Sequence, residues 1–544
     1  MAFSKIRQSD EKPFRRVREV ALELGVDPEI LLPHGHYIAK IPLEELKPFH
    51  KNKQGALILV SAMSPTPQGE GKTTTTIGLG DGLRVLGKKS AICLREPSLG
   101  PYFGIKGGGT GAGKSQVVPS EAINLHFVGD MYSVEKANNL LAAMLDNHLQ
   151  HGNDLGIDPR RIVLRRVIDL NDRSLREIIV GLGGVKHGIP RKDGFSITPA
   201  SEVMAILCLT SDFLDLGKRL GNMVVAFTYN GDPVYARDIL AVGAMQVILR
   251  DAINPNLVQT REGTPAFVHG GPFANVAHGT NSIISTRTAL SLADYVVTEA
   301  GFGTDLGAEK FFNIACRASG LRPSAVVIVA TAKSVAYHGG KAGLDNLEKH
   351  IENIRLFGLD PVVAVNKFAN DKSGDLTKIV AFCEKRGVAA VITNNFLEGG
   401  KGAQGLAEAV LRSIKKNRKK KPRFLYPLDK TIEDKIDIVA RMMYGASGVD
   451  FDGAAKADIE LMRKHGFDKL PVCIAKTPLS LSDNPRLLGR PTGFRIRVNE
   501  LRLSAGAGFV VAICGNIVTM PGLPKVPAAA RIKILPNGQA IGLT

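Results

Sequence analysis

Short apolar runs alternate with longer amphipathic or alanine-rich stretches over most of the chain. The runs Ala56–Ala62, Ser90–Leu94, Arg161–Ile168, Met223–Phe227, Tyr295–Thr298, Val326–Ala330, Val362–Val365 and Ala389–Ile392 read as strands, and most are separated by enough sequence for a helix. Their alternation with helical patterns is the βαβ rhythm of a mostly parallel, doubly wound sheet. After the basic segment Lys415–Arg423 the pattern changes. A helix over Asp434–Tyr444 precedes strand-like runs near Val472, at Phe494–Val498 and at Phe509–Ile513, which reads as a separate α+β domain.

The first strand runs into a glycine-rich turn and then a helical pattern, the order that a phosphate-binding loop needs. Backbone N–H groups of such a turn and the following helix N-terminus converge on phosphate oxygens, and a lysine adds a point charge. Thr66, Pro67, Gln68, Gly69, Glu70, Gly71, Lys72 and Thr73 supply that order, although Thr66 replaces the first glycine of GxxxxGK[ST]. The segment Gly108–Ser115, GGTGAGKS, fits the pattern in full. It follows a turn-rich stretch, however, and Pro119 soon interrupts it. Context therefore assigns the triphosphate to Thr66–Thr73, and leaves the second loop as a lining of the same cleft.

Other candidates lie at the carboxyl ends of strands, the usual ligand edge of an open α/β sheet. Arg95, in CLREPSLGP, offers a planar fork for a carboxylate or phosphate, against the alternative of an ion pair with Glu96. VVAVNKFAND resembles a guanine-reading NKxD motif, but Ala369 occupies the acid's place and Asp371 comes two residues late. Phe368 there, and Phe396 in NNFLEGGKGAQG, are aromatics that can wall a flat heterocycle. Glu299 and Asp305 can order Mg²⁺ or its waters, with helix capping an equal account of Asp305. His269 and His278, without acidic or cysteine partners, read as hydrogen-bonded histidines of a glycine loop.

Composition narrows the class. The chain has 544 residues, 44% of them hydrophobic, and can bury more than one core. Its six cysteines form no CxxC pair, which fits a reducing compartment. The opening MAFSKIRQSDEKPFRR lacks an apolar leader segment, and no run reaches the length of a membrane span. These features predict a cytoplasmic protein without membrane association. The net charge of +18 suits anionic small molecules or nucleic acid. Its densest cluster, KKNRKKKPR, falls at a helix C-terminus, where the macrodipole favours cations. With no aromatic interleaving, nucleic acid is not an expected partner.

Taken together the motifs resemble the formate–tetrahydrofolate ligase family. The resemblance runs from GHYIAKI to TMPGLPKVPA through PTPQGEGKTTT, CLREPSLGP, FGIKGG, RRVIDLNDR, GFSITPASEVMAILCL, NLVQTREGTPAFVHGGPFANVAHG, DYVVTEAGFGTDLGAEKF, VATAKSVAYHGG, NLEKHIENI, LGRPTGF and LSAGAGF. It implies a P-loop NTPase-type, mostly parallel doubly wound sheet with two smaller α+β domains. The corresponding division is 1–125 with 250–420 for nucleotide binding, 126–249 as an inserted α/β domain, and 421–544 at the C-terminus. It further implies a homotetramer, a monovalent cation (K⁺ or NH₄⁺), and ATP with Mg²⁺, formate and tetrahydrofolate as small-molecule partners. By the resemblance Lys72 and Arg95 are catalytic, Thr73 is a Mg²⁺ ligand through ATP, and Phe368 and Phe396 sandwich the pterin.

The chain departs from the family pattern at Lys114-Ser115, where Tyr-Ala is usual, and at Ala122, Met131-Tyr132, Lys333 and Lys401. These changes bear on the folate form bound. The alternatives are a P-loop ATPase switch of the partition or metal-carrier type, and a nucleic-acid-binding protein. Because only Thr66–Thr73 has the strand–turn–helix context, Lys72→Ala is expected to abolish ATP binding and Lys114→Ala to leave ATP affinity near wild type. Titration calorimetry of the two variants decides, and the reverse result would exchange the two loops.

Overall fold

The computed structural model describes residues 14–49, 54–104, 108–418, 420–538 and 540–543. Its centre is a 12-stranded mixed sheet, most of it parallel. From one side the order is Leu32–Pro33, Ala39–Lys40, Asn256–Thr260, Pro265–Val268, Ser90–Leu94, Tyr295–Glu299, Ala56–Ala62, Pro323–Ala330, Val362–Asn366 and Ala390–Thr393. The strands from Pro265–Val268 to Ala390–Thr393 all run in one direction. Nearly every residue of Ala56–Ala62, Ser90–Leu94 and Val362–Asn366 is buried, as continuous apolar runs covered on both faces require.

Three features of the arrangement are not contained in the apolar runs. Ser90–Leu94 does not pair with Ala56–Ala62, because Tyr295–Glu299 lies between them and pairs with both. The antiparallel strands Asn256–Thr260 and Pro265–Val268 extend the sheet beyond Ser90–Leu94. The Arg161–Ile168 run divides into Ile157–Ile162 and Arg166–Ile168, and neither piece joins the large sheet. Ile157–Ile162 pairs instead with Val224–Thr228 and, through it, Pro233–Tyr235. Near the C-terminus, Gly448–Phe451, Arg495–Ser504, Phe509–Cys514 and Val472–Ala475 form a four-stranded sheet of their own.

The helix Lys72–Val85 leaves the first glycine loop and packs on the large sheet. Its Asp81 is fully buried and accepts from the hydroxyls of Thr260 (2.7 Å) and Thr264 (2.6 Å), which ties the helix to the turn between Asn256–Thr260 and Pro265–Val268. At the basic segment, the helix Gln404–Asn417 places Lys415 and Lys416 in its last turn. Lys416 and Lys420 pair with Asp360 and hold its carboxyl at about 2, against the opposing effect of partial burial. Lys419, the FGIKGG residues 105–107 and most of the opening basic stretch lie outside the described residues. All six cysteines are buried free thiols. Among the described residues no helix is long and apolar enough to cross a membrane.

Burial raises the Asp81 carboxyl from 3.8 to about 7, and the two threonine hydroxyls offset this only in part. A carboxyl with a raised folded pKa contributes stability that is fully present below its unfolded value and is lost as pH rises through the folded one. Asp81→Asn removes this dependence while keeping an acceptor for both threonines. The stability of wild type relative to Asp81→Asn is therefore expected to fall by roughly 4 kcal/mol between about pH 4 and 7, at about 1.4 kcal/mol per unit, and then to level off. The Tm gap between the two proteins across that window tests it. A constant gap would mean that Asp81 is already charged in the folded state.

Candidate active site

The parallel strands deliver their carboxyl ends to one edge of the sheet, and the candidate residues gather along it. The turn between Ala56–Ala62 and Lys72–Val85 holds Gly69 at φ +85° and Gly71 at φ +68°, left-handed conformations that favour glycine. Glu70 is buried inside this turn and staples it. Its Oε1 accepts from the Thr66 N–H (2.7 Å), and its Oε2 accepts from the Thr331 hydroxyl. Asn366, at the end of its strand, donates to the Glu70 carbonyl (3.0 Å). The asparagine of the NKxD-like stretch thus braces the loop. Asp371 accepts from the Phe368 N–H (2.8 Å) and so closes its own turn.

Behind the loop, a buried network fixes the chain at Ser64. The Ser64 N–H donates to His350 Nε2 (2.8 Å), and His350 Nδ1 lies 2.7 Å from the Thr304 hydroxyl. An imidazole that accepts at Nε2 is neutral, in agreement with burial pushing His350 down to about 4.

Glu299 ends the strand between the phosphate loop and Arg95, and reaches both sides. Its Oε2 accepts from the Thr73 hydroxyl (2.9 Å), and its Oε1 lies 4.0 Å from Arg95 Nη2. It is almost completely buried, whereas Arg95 is a quarter exposed. Arg95 Nη1 makes one long hydrogen bond to the Pro272 carbonyl (3.3 Å), and Nε has no partner among the described residues. Glu96 is buried apart from this pair, with a carboxyl raised well above its usual value by burial and by Asp130. The guanidinium is therefore lightly held, with hydrogen-bonding capacity to spare for an anion.

The glycine loop after Pro265–Val268 wraps over Arg95. Gly301 leaves room there, since a Cβ would stand 3.4 Å from the guanidinium and 2.3 Å from Ala274 Cβ. Lys310, fully buried and not singled out in the sequence, donates to the Ala274 carbonyl (2.6 Å). The two histidines of this loop differ. His269 is satisfied by Ser282 (2.6 Å) and by the Ala252 carbonyl (2.7 Å). His278 is fully buried with neither ring nitrogen partnered among the described residues. Burial, then Arg95 and Lys310, push it down to about 3, so it is neutral. Asp305 does not cap the helical segment it opens, where Gly303 holds the cap position. It pairs with the buried Lys476 (2.8 Å) at the end of the Val472–Ala475 strand.

On the other side of the phosphate loop stand the two aromatics. Phe368 and Phe396 are 41% and 50% exposed, too open for core residues. The Phe368 ring approaches the loop itself, with Cζ 4.0 Å from where a Gly71 Cβ would be. Phe396 lies in the short helix Asn395–Glu398 beyond the next strand. GGTGAGKS does not form a strand–turn–helix unit. It folds into a β-hairpin, Gly111–Ala112 against Ser115–Val118, whose tip contacts the Phe396 segment.

The chain matches the formate–tetrahydrofolate ligase family over residues 3–544. Proteins named formate–tetrahydrofolate ligase from a Nocardioides species, Granulibacter bethesdensis and Methylobacterium nodulans are 52%, 54% and 53% identical to it. Each alignment covers 97% of this chain, and 98%, 95% and 97% of the respective relative. A match of this extent establishes that the chain belongs to the formate–tetrahydrofolate ligase family.

Proposed function

We propose that the protein joins formate to tetrahydrofolate at the expense of ATP, by way of formyl phosphate. The observation that carries this reading is the arrangement on one sheet edge: phosphate loop at the centre, Glu299 and Arg95 on one side, exposed Phe368 and Phe396 on the other. With the family established, the partition or metal-carrier switch has no support.

Formate is a poor acyl donor, so activation must come first. A formate oxygen attacks the γ-phosphorus, the bond to the ADP oxygen breaks, and formyl phosphate and ADP result. N10 of tetrahydrofolate then attacks the formyl carbon. The carbon–oxygen bond to phosphate breaks, N10 gives up its proton, and 10-formyltetrahydrofolate and phosphate leave. The Thr66–Thr73 loop would cradle the triphosphate, with Lys72 offsetting charge on the transferring group. Arg95 would hold formate and then formyl phosphate in two parallel hydrogen bonds. Phe368 and Phe396 would sandwich the pterin.

Mg²⁺ arriving with ATP suits the pair of oxygens on Thr73 and Glu299, since hard cations take hydroxyl and carboxylate ligands. It would supply charge neutralisation between the phosphates. For a monovalent cation, Glu96 offers one buried oxygen, Oε2, without a partner among the described residues, while the nearby Asp130 is already paired with Lys40 (2.8 Å). The P-loop NTPase-type fold, the three-domain division given above, the homotetramer and the cytoplasmic location belong to the same proposal. The separate small sheets of residues 157–235 and 448–514 support the division.

The direct test measures ADP formation with formate and tetrahydrofolate omitted in turn. Turnover indifferent to both would refute a ligase. Within the ligase, Arg95→Lys is expected to fold and bind ATP, yet to lose at least about a hundredfold in kcat, because an ammonium cannot reproduce the fork. ATP synthesis from ADP and formyl or carbamoyl phosphate, which needs no folate, should fall in parallel; near-normal synthesis would return Arg95 to a structural role. Phe368→Ala and Phe396→Ala are each expected to raise the tetrahydrofolate KM roughly five- to a hundredfold, at about 1–3 kcal/mol per wall, with the ATP KM little changed. Variants that only melt earlier would assign both rings to packing.

A further inference from the structure

The hairpin formed by GGTGAGKS meets the Phe396 segment at three points. The Lys114 N–H donates to the Phe396 carbonyl (2.9 Å). The buried Ser115 hydroxyl donates to the Asn395 carbonyl (3.0 Å). Gly113, at φ +63°, passes so close that a Cβ would stand 2.2 Å from the Phe396 carbonyl oxygen and 2.9 Å from its ring Cδ2. The opposite side of the segment is held as tightly. At Gly78, in the helix that leaves the phosphate loop, a Cβ would meet the Asn395 side chain at 2.7 Å. Phe396 therefore sits in a short helix clamped between the hairpin and the phosphate-loop helix, while half of its own surface stays open.

Scaffold contacts explain a buried segment, but they do not explain why three of them converge on the two backbone carbonyls that aim an exposed ring. A ring that binds by stacking gains from being held in place before the ligand arrives, because the ordering cost is then not charged to binding. Ser115 is also a departure of this chain, standing where the family pattern has alanine, which has no hydroxyl to give Asn395.

We propose that the Gly111–Ser115 hairpin is the positioning element of the folate site, with Gly113 and Ser115 fixing the orientation of Phe396. The proposal rests on the ligase reading and on Phe396 as a pterin wall. Neither residue touches substrate; both act through the Asn395–Glu398 helix. The glycine pattern that imitates a phosphate loop is thus the device that lets a backbone approach an aromatic from behind.

The test is a double-mutant cycle on the full-length enzyme. Gly113→Ala is expected to raise the tetrahydrofolate KM by about tenfold or more, since small misplacements of a positioning group are costly. Ser115→Ala, losing one hydrogen bond, is expected to raise it by about two- to tenfold. The ATP KM and the folate-free ATP synthesis should stay within about twofold of wild type, because the phosphoryl site is not addressed. In a Phe396→Ala background both effects should shrink to near unity, since residues acting through one group are not additive. Equal KM increases with and without the Phe396 ring would overturn the proposal. So would a parallel loss of the folate-free reaction. If Gly113→Ala does not fold, Ser115→Ala runs the same cycle alone. A wild-type enzyme indifferent to formate and tetrahydrofolate would instead sink the ligase reading, a distinct outcome.

Discussion

The close approach of the helix Lys72–Val85 to everything around it is the constraint on which the rest of the edge depends. Three glycines make the approach possible. A Cβ at Gly80 would lie 2.4 Å from Ile92, one at Gly78 2.7 Å from Asn395, and one at Gly82 3.0 Å from the Ala403 carbonyl. Each glycine in a helix interior costs about 1 kcal/mol relative to alanine. The helix also begins with four threonines, which are no better than moderate helix formers. Its local propensity is therefore poor, and its stability must come from the contacts that the missing side chains allow. The same helix carries the phosphate loop at its N-terminus and backs the Phe396 segment along its side. The Thr66–Thr73 loop and the Phe396 segment are thus mounted on one part, and any displacement of it moves both.

Glu299 has a comparable position on the other side. Were Ser90–Leu94 the direct neighbour of Ala56–Ala62, Arg95 would face the phosphate loop with no carboxylate between them. The interposed strand puts one there, close enough to accept from Thr73 and long-range enough to leave Arg95 lightly held. A short salt bridge would hold the guanidinium away from an incoming anion, and a bare arginine would have no fixed place. A separation of 4.0 Å, with a long bond to the Pro272 carbonyl, lies between these extremes. The surrounding nitrogens follow the same economy. Lys310 is buried with its ammonium on a carbonyl and His278 is kept neutral, so neither competes with Arg95 for an anion at the surface of the cleft.

How far the sequence announced this structure depends on the range of the interaction concerned. The central strands appear where their apolar runs lie, since burial on both faces leaves a local signature. The Thr66–Thr73 turn was legible for the same reason: strand, glycines and helix are contiguous. The neighbour of Ala56–Ala62 was not legible, because strand order is settled by contacts between residues more than two hundred positions apart, such as Val60 and Glu299. The strands Asn256–Thr260 and Pro265–Val268 are short, the second opens on a proline, and a tight turn rather than a helix joins them, so the βαβ rhythm does not mark them. Lys310 could not be told from a surface lysine. His278 and His269 look alike in sequence and differ only in what surrounds them.

The two glycine loops sharpen the point. The fuller match to the phosphate-loop pattern became a hairpin, and the defective match lies between a strand and a helix. A consensus records which residues tolerate a conformation, and glycine tolerates many. The conformation is chosen by the flanking elements. At Thr66–Thr73 a buried strand and a packed helix fix both ends of the turn. At Gly108–Ser115 the chain instead turns into a hairpin held at its tip by the Phe396 carbonyl, and just beyond it Val117 and Val118 pair with Thr260 and Gln259. Lys114 thereby spends its backbone N–H on that carbonyl, and the group a phosphate would need is no longer available.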